Sequence, residues 1–388
     1  MPLCSLKEPV HKNMGNNILI ITGEPSGDMR GGELLKELKK LAPETSFWGI
    51  GGDHMEDEGM ELIENVRDLS IIGVWEIFSK LPKIHAQYRN VIQNTLKRKP
   101  ALAILIDYPG FNLKLAKFLH SQNIPVIYYI IPQVWAWGSW RIKTLKRYVT
   151  KALVLFKFEK DLLTQEGVPA EFVGHPLIDK APALLPRNKE DAFTIALLPG
   201  SRNSEIRGIF PLMLDAAEKL HKERPDIGFI LAENSNVDEA LYDAALAAHK
   251  SLNVLRRKDD TFGVLNKCDF ALIASGTATL EATLLEKPMV ITYRAAFMTE
   301  LLAHIFAHIS FLGLANIIAG REIVPELIKQ NATSQKLLHE TLKIISDESR
   351  MQNMRSELRK VRQSLGEKGA SMKAALEVRK ILEEKSSP

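Results

Sequence analysis

The stretch Ile18-Leu-Ile-Ile-Thr-Gly-Glu-Pro-Ser-Gly-Asp28 opens with an unbroken aliphatic run and then dissolves into a glycine-rich loop. A short β-branched run of this kind predicts a strand covered on both faces, and the helical pattern from Gly31 to Leu41 supplies a cover. Strand, loop and helix together are the unit of a parallel α/β sheet. The unit recurs outward from here. Ser46-Phe-Trp-Gly49, Leu102 to Ile106, Val126 to Ile130 and Ala152 to Leu155 read as further strands with helical segments between them. A second series begins at Thr194-Ile-Ala-Leu-Leu198 and runs through Gly228-Phe-Ile-Leu231, Phe270-Ala-Leu-Ile273 and Met289-Val-Ile-Thr292.

Two α/β domains facing each other across a cleft are therefore expected. Ala181-Pro-Ala-Leu-Leu-Pro-Arg-Asn-Lys-Glu190 has the prolines and polar residues of a linker between compact units. The expected division is a tail over 1–16, a first domain over 17–185, a second over 190–345 and charged helices over 346–388. Those helices are free to cross back to the first domain, and Ser371 is the expected N-cap of a last amphipathic helix reaching Glu384.

The 388 residues are 45% hydrophobic and 25% charged, an ordinary globular composition with material for two cores. A net charge of +4 argues against a nucleic-acid partner. Cys4 and Cys268 are too few for a disulfide framework or a cysteine zinc site, which fits a reducing compartment. Met1 to Asn17 lacks the apolar core of a secretory signal, and Met14 is an alternative start. The greasiest segment, Ala295 to Ala319, is interrupted by Glu300, His304, His308, Ser310 and Asn316, so a spanning helix is not expected. His304 and His308 have metal-ligand spacing without the glutamate of a zinc protease, and a core or interface helix explains them better; no metal is assigned.

Charge is distributed unevenly. From Tyr108 to Phe158, 51 residues contain no Asp or Glu where about six would be average, but eight Lys or Arg and three Trp. Asp107 stands immediately before them, at the end of the run Ala101 to Ile106. One carboxylate facing a basic, aromatic surface suits a base that deprotonates an anionic substrate, and the cations should favour its ionised form.

Ligands of open α/β sheets bind at the loops leaving the carboxyl ends of strands, so four junctions carry the chemistry. Gly23, Glu24, Ser26, Gly27 and Asp28 form the first; neither a Walker loop nor a dinucleotide fingerprint fits, and a tight turn explains the glycines equally well. Asp107 to Asn112 forms the second, where Asp107 serves either as base or as a structural acceptor. Gly200, Ser201, Arg202 and Glu205 form the third, an anion cradle if Arg202 is not merely solvated. Ser275, Gly276, Thr277 and Glu281 form the fourth, where Glu281 either accepts ribose hydroxyls or complements a helix dipole. Trp135, Trp137 and Trp140 with Arg141, Lys143, Lys146 and Arg147 suit an anionic membrane interface, or a buried aromatic cluster beside a solvated face.

Taken together, Gly23 to Asp28, Ile106 to Asn112, Pro132-Gln-Val-Trp-Ala-Trp137, Val173-Gly-His-Pro176, Leu198-Pro-Gly-Ser-Arg202, Ser275 to Glu281 and Asn316-Ile-Ile-Ala-Gly-Arg321 resemble the lipid-A-disaccharide synthase family, in order and from about residue 17 to 385. The resemblance implies a GT-B glycosyltransferase of two Rossmann-like domains, the donor held on the second and the acceptor on the first. It implies an inverting transfer from UDP-2,3-diacylglucosamine to 2,3-diacylglucosamine 1-phosphate (lipid X), giving the β-1,6-linked lipid A disaccharide 1-phosphate and UDP. Asp107 and Arg202 correspond to the family's essential carboxylate and arginine. Ser201, Gly276, Thr277, Glu281, Asn316 and Arg321 fall in donor loops, Asn112, Trp135, Trp137, Gly174 and His175 lie in the remaining motifs, and Arg141 follows the Trp-Ala-Trp segment. Where the family commonly has Asp-Ala-Pro-Asp-Phe-Asn, this chain has Tyr108 and Gly110, which leaves Asp107 as the loop's only acid. No cofactor is implied, and without an Asp-x-Asp the reaction is expected to be metal-independent. The expected location is the cytoplasmic face of the inner membrane; a homodimer is left open. A UDP-sugar epimerase or a non-catalytic UDP-sugar-binding module are the alternatives.

Overall fold

The computed structural model describes residues 17–69, 74–135, 138–185, 191–294 and 311–386. Met14, Trp137, His304 and His308 lie outside them. The chain divides into two units, one of residues 1–176 with 369–388 and one of residues 177–368. The sequence reading drew the division some ten residues later.

Unit one is built on seven strands: β1 (Asn17–Ile21), β2 (Ser46–Gly51), β3 (Glu61–Asn65), β4 (Leu102–Ile106), β5 (Val126–Tyr129), β6 (Lys151–Val154) and β7 (Ala170–Phe172). They lie in the order 3-2-1-4-5-6-7, and every pairing is parallel. Unit two carries β8 (Thr194–Leu198), β9 (Gly228–Glu233), β10 (Val254–Lys258), β11 (Phe270–Ala274), β12 (Met289–Tyr293) and β13 (Glu326–Ile328). Their order, 10-9-8-11-12-13, repeats the plan, again wholly parallel. This is the doubly wound order in which the winding reverses beside the first strand. The reversal falls between β1 and β4 in one unit and between β8 and β11 in the other.

Strands beside the reversal are buried on both faces: Leu19, Ile20 and Ile21 of β1 and all of Leu102 to Ile106 are inaccessible to solvent. Their continuous apolar runs follow from that double cover. Four strands escaped the sequence reading, β3, β7, β10 and β13, and all four are sheet edges. Glu61-Leu-Ile-Glu-Asn65 and Val254-Leu-Arg-Arg-Lys258 carry charge because an edge is half in water and charge there discourages pairing with another chain.

Helix starts also differ from expectation. The first helix spans Pro25–Leu41 rather than beginning at Gly31, with Pro25 in the N-terminal turn where its missing N–H is not needed. Gly31 and Gly32 lie inside it because a Cβ at either would come within 2.5 Å of the Met55 sulfur or 2.8 Å of the His54 carbonyl oxygen. The helix after β8 spans Asn203–Glu223.

The last helix, Ala370–Ser386, packs on Pro25–Leu41 and so completes unit one from the far end of the chain. Ser371 is buried within its first turn rather than capping it; the Lys373 N–H bonds the Gly369 carbonyl. Ala374, Ala375 and Val378 form its buried stripe, and Lys151 on β6 pairs with Glu377 at 2.8 Å. A carboxylate forced into that apolar contact has no partner, so Val378→Asp is expected to destabilise unit one by about 3 kcal/mol or more. A shift of the urea unfolding midpoint measures it, and an unchanged midpoint would show the helix is not part of that core.

Candidate active site

Residues 106–112 turn the chain sharply off β4. Asp107 and Tyr108 both adopt left-handed backbone, at φ 47° and 49°, which costs non-glycine residues about 1–3 kcal/mol each. Three bonds hold the turn. The Asp107 carbonyl oxygen accepts from the Tyr128 hydroxyl at 2.6 Å and from Asn112 Nδ2 at 2.8 Å, while its N–H donates to the Tyr129 carbonyl at 3.2 Å. Asn112 is fully buried and also donates to the Ile106 carbonyl. Asn112 thus shapes the backbone beneath the carboxylate. Gly23 is fitted against the same turn: a Cβ there would lie 2.2 Å from the Tyr108 ring.

Burial pushes the Asp107 carboxyl up to about 6, and the charge of Glu24 adds to the shift. The expected effect of the basic stretch is therefore reversed. Composition put no acid after Asp107 for 51 residues, but folding brings Glu24 to it from the neighbouring strand-end loop. A carboxyl poised near 6 is ionised at neutral pH yet more basic than a solvated one.

Around this turn the other expected residues separate. Glu24, the N-cap of Pro25–Leu41, and Ser26 in its first turn are exposed. Gly27 is buried, with no room for a Cβ, which would sit 2.0 Å from Thr22 Oγ1. Asp28 turns inward instead of towards a ligand: its carboxylate accepts from the N–H groups of Gly52, His54 and Met55 at 2.7, 3.1 and 3.2 Å and so caps the short helix Asp53–Asp57. Trp135 donates its indole N–H to Glu159 at 3.1 Å and meets Phe158 edge-on. Glu159, which the sequence reading passed over, is buried, raised to about 7 by that burial, and also accepts from the Phe156 N–H. Gly174 takes φ 91°, and the His175 ring lies on Phe156. Burial and the nearby Arg30 hold His175 down to about 3, so it is neutral at pH 7 and unsuited to pairing with phosphate by charge. Arg141 lies over the exposed Trp140 ring, 5.3 Å from its centroid. Beside Tyr108 opens a largely apolar cavity of about 570 Å³, lined by Ile84, His85, Tyr88, Tyr108, Gly110, Phe111, Lys114 and Lys117.

In unit two, a cavity of about 480 Å³ lies where β8, β9 and β11 end. It gathers Gly200, Ser201, Arg202 and Glu205 with Ser275, Gly276, Thr277 and Glu281, the whole of the third and fourth junctions. Two helices, Asn203–Glu223 and Thr277–Leu284, begin at its wall, with Arg202 and Gly276 as their N-caps. Gly200 is held at φ 119°, and a Cβ there would strike the Glu205 carboxylate at 2.3 Å. Glu205 is committed to this loop, accepting the Ser201 N–H at 2.8 Å. At Gly276 a Cβ would meet nothing within 4 Å, so the backbone there is open to a ligand. Glu281 is half-buried, and burial raises its pKa. Arg202 is largely exposed, 3.7 Å from Glu205.

Four further polar residues line the cavity: Glu233, Asn234, Asp259 and Thr261. Glu233 ends the apolar run of β9 as Asp107 ends that of β4, a signal the sequence offered and the reading did not use. Asn316 and Arg321 are not among the lining residues. Buried Asn316 spends its side chain on Ile323, Val324 and Glu326. Glu326 in turn fixes the N–H groups of Leu312 and Gly313, and the Leu312 carbonyl accepts from Ser275. Asn316 is therefore a support of the cavity wall. Arg321 is paired with Glu357. Among the described residues no cluster of three His, Cys, Asp or Glu is arranged to hold a metal.

Two parallel six- and seven-stranded sheets with loops of this kind at their switch points define the GT-B class. CalG4, the calicheamicin glycosyltransferase, superposes with a TM-score of 0.62 at 14% identity, over 96% of this chain and 99% of that one. The UDP-GlcNAc 2-epimerase from Neisseria meningitidis, bound to UDP-GlcNAc, gives 0.58 at 12% identity, over 95% and 100%. Sequence narrows the class. A family model described as lipid-A-disaccharide synthetase matches residues 18–380. The lipid-A-disaccharide synthase of Anaeromyxobacter dehalogenans (strain 2CP-C) is 37% identical over 370 residues, 94% of this chain and 97% of that one. The chain belongs to the lipid-A-disaccharide synthetase family and is a glycosyltransferase of lipid A biosynthesis.

Asp28 offers a direct check on the division between support and contact. Removing its carboxylate leaves three N–H groups short of an acceptor, so Asp28→Ala is expected to lower stability by about 2 kcal/mol in urea melts while UDP binding persists. Loss of UDP binding in a variant of unchanged stability would return Asp28 to the ligand contacts.

Proposed function

We propose that the enzyme transfers the sugar of a UDP-linked 2,3-diacylglucosamine to the 6-hydroxyl of 2,3-diacylglucosamine 1-phosphate, in one inverting displacement. The observation that carries this reading is Asp107: a residue whose backbone is held by three hydrogen bonds at a switch point and whose carboxyl is poised near 6. Asp107 accepts the 6-hydroxyl proton while that oxygen forms a bond to the donor's anomeric carbon. The bond from that carbon to the diphosphate breaks, and UDP leaves with the electron pair. Attack from the face opposite the leaving group turns the α-linked donor into a β-linked product, with no covalent sugar-enzyme intermediate. The transition state is oxocarbenium-like, as in glycoside hydrolysis.

Negative charge grows on the leaving diphosphate, and the cavity of unit two is suited to receive it. Arg202 supplies a cation, and the starts of Asn203–Glu223 and Thr277–Leu284 supply free N–H groups and the positive ends of helix dipoles. Such donors act most strongly where charge develops, which lowers the barrier rather than merely tightening binding. Glu281 is an acceptor for the ribose hydroxyls, while Glu233 at the same wall is paired with Arg256. A UDP-sugar epimerase uses the same fold, but would convert UDP-GlcNAc without an acceptor.

The acyl chains of both substrates require access from a lipid surface. No described helix is long and apolar enough to cross a membrane. The helix Trp140–Tyr148 instead buries Ile142 and Leu145 and exposes Lys143, Lys146, Arg147 and Trp140, a basic face with an aromatic at its edge. This supports peripheral attachment to the anionic inner face of the cytoplasmic membrane.

Mass spectrometry of the reaction with both diacylated substrates tests the proposal. Wild type should yield disaccharide and UDP, and Asp107→Ala should lose about 10²- to 10⁴-fold in rate while still binding UDP. Product from UDP-GlcNAc alone, or full activity in Asp107→Ala, would refute it. Because the base acts ionised and its pKa is raised, kcat/KM should fall as pH drops through about 6. Glu24→Gln removes one contributor to that raised value, so its acid limb should move to lower pH. Lys143→Glu with Lys146→Glu should cut sedimentation with anionic liposomes; unaltered sedimentation counts against the membrane face.

A further inference from the structure

The cavity of about 570 Å³ beside Asp107 has no part in the chemistry above. Its walls are aromatic. Tyr108 stacks on Phe111 with centroids 5.3 Å apart, and Tyr88 meets Phe111 edge-on at 5.4 Å. The Tyr88 hydroxyl is occupied by the Lys114 carbonyl oxygen at 3.3 Å. Gly110 keeps the space open, since a Cβ there would meet nothing within 4 Å. Lys114 and Lys117, three residues apart and so on one face of the helix Pro109–Ser121, add two ammonium groups to the lining. An apolar slot with cations beside it suits one ligand chemistry, a hydrocarbon chain joined to an anionic head.

We infer that this cavity takes one acyl chain of the acceptor, with Lys114 and Lys117 facing the acceptor's phosphate. The inference rests on the transferase reading above and names a subsite within it. Tyr108 is both a wall of the cavity and the residue after Asp107, so a chain seated there holds its sugar within reach of the carboxylate. Acyl length then becomes a determinant of acceptor choice. Each methylene withdrawn from the chain should weaken acceptor binding about fourfold until the remainder no longer reaches the walls.

Plugging the cavity tests this in the full-length enzyme. Gly110→Phe fills the space from one helix and Ile84→Trp from the other, with Gly110→Ala as control and thermal melts to confirm folding. Acceptor KM should rise about tenfold or more for long-chain diacylglucosamine 1-phosphate in both plugged variants, with the donor KM unchanged. For an acceptor carrying four-carbon acyl groups the rise should be below about twofold. Equal KM in wild type and plugged variants, or the same rise for both chain lengths, overturns the assignment. So does a defect that appears only with vesicles and not with detergent-dispersed acceptor, since the occupant would then be bulk lipid. Lys114→Gln should raise KM for the phosphorylated acceptor and not for its dephosphorylated form; an equal rise for both removes the phosphate contact. Absence of disaccharide from wild type would instead refute the transferase reading, and direct binding of labelled long-chain diacylglucosamine 1-phosphate to wild type and Gly110→Phe would still decide the cavity.

Discussion

A parallel sheet covered on both faces has no place for polar chemistry in its interior. Its backbone groups are paired with neighbouring strands, and its side chains must be apolar on both sides. Leu19 to Ile21, Leu102 to Ile106, Ile195 to Leu197 and Phe270 to Ile273 satisfy that demand almost completely. Whatever the protein does to a charged sugar is forced to the loops at the strand ends. Among those loops, the ones flanking a reversal of winding diverge and leave room for a ligand. Both sheets of this chain obey the rule: Gly23 and Asp107 follow β1 and β4, while Gly200 to Glu205 and Ser275 to Glu281 follow β8 and β11.

The same demand explains what could be read in advance. Central strands announce themselves as unbroken aliphatic runs, and nine of them were legible. Edge strands obey a weaker rule, since one side meets water and charge there prevents unwanted pairing, so β3, β7, β10 and β13 resembled loop. Site residues followed a similar division. The eight residues of the third and fourth junctions do meet in one cavity, because strand-end position alone brings them there. Asp28 and Asn316 sit in equally suggestive motifs, but their side chains serve backbone N–H groups within the fold. Sequence position shows which loop a residue occupies; only the structure shows which way it faces.

Electrostatics was the least legible part. A count of charges along the chain surrounds Asp107 with cations, whereas the fold surrounds it with a buried turn and Glu24. Glu159, the first acid after the acid-free stretch, is carried under Trp135. Burial acts on both carboxyls more strongly than any cation on the adjoining segments, and each is pushed up rather than down. The left-handed turn at Asp107 and Tyr108 completes this picture. It needs the Tyr128 hydroxyl and the Asn112 amide, neither of which touches the carboxylate, to keep Asp107 from relaxing.

The return of Ala370–Ser386 to pack on Pro25–Leu41 bears on how the chain is born. A ribosome adding about 5–20 residues per second needs roughly 10–40 seconds to pass from the end of β7 to that helix. Throughout this interval the nascent first sheet lacks the cover over its first helix, and the apolar stripe that Ala374, Ala375 and Val378 will meet stays open to solvent or to chaperones.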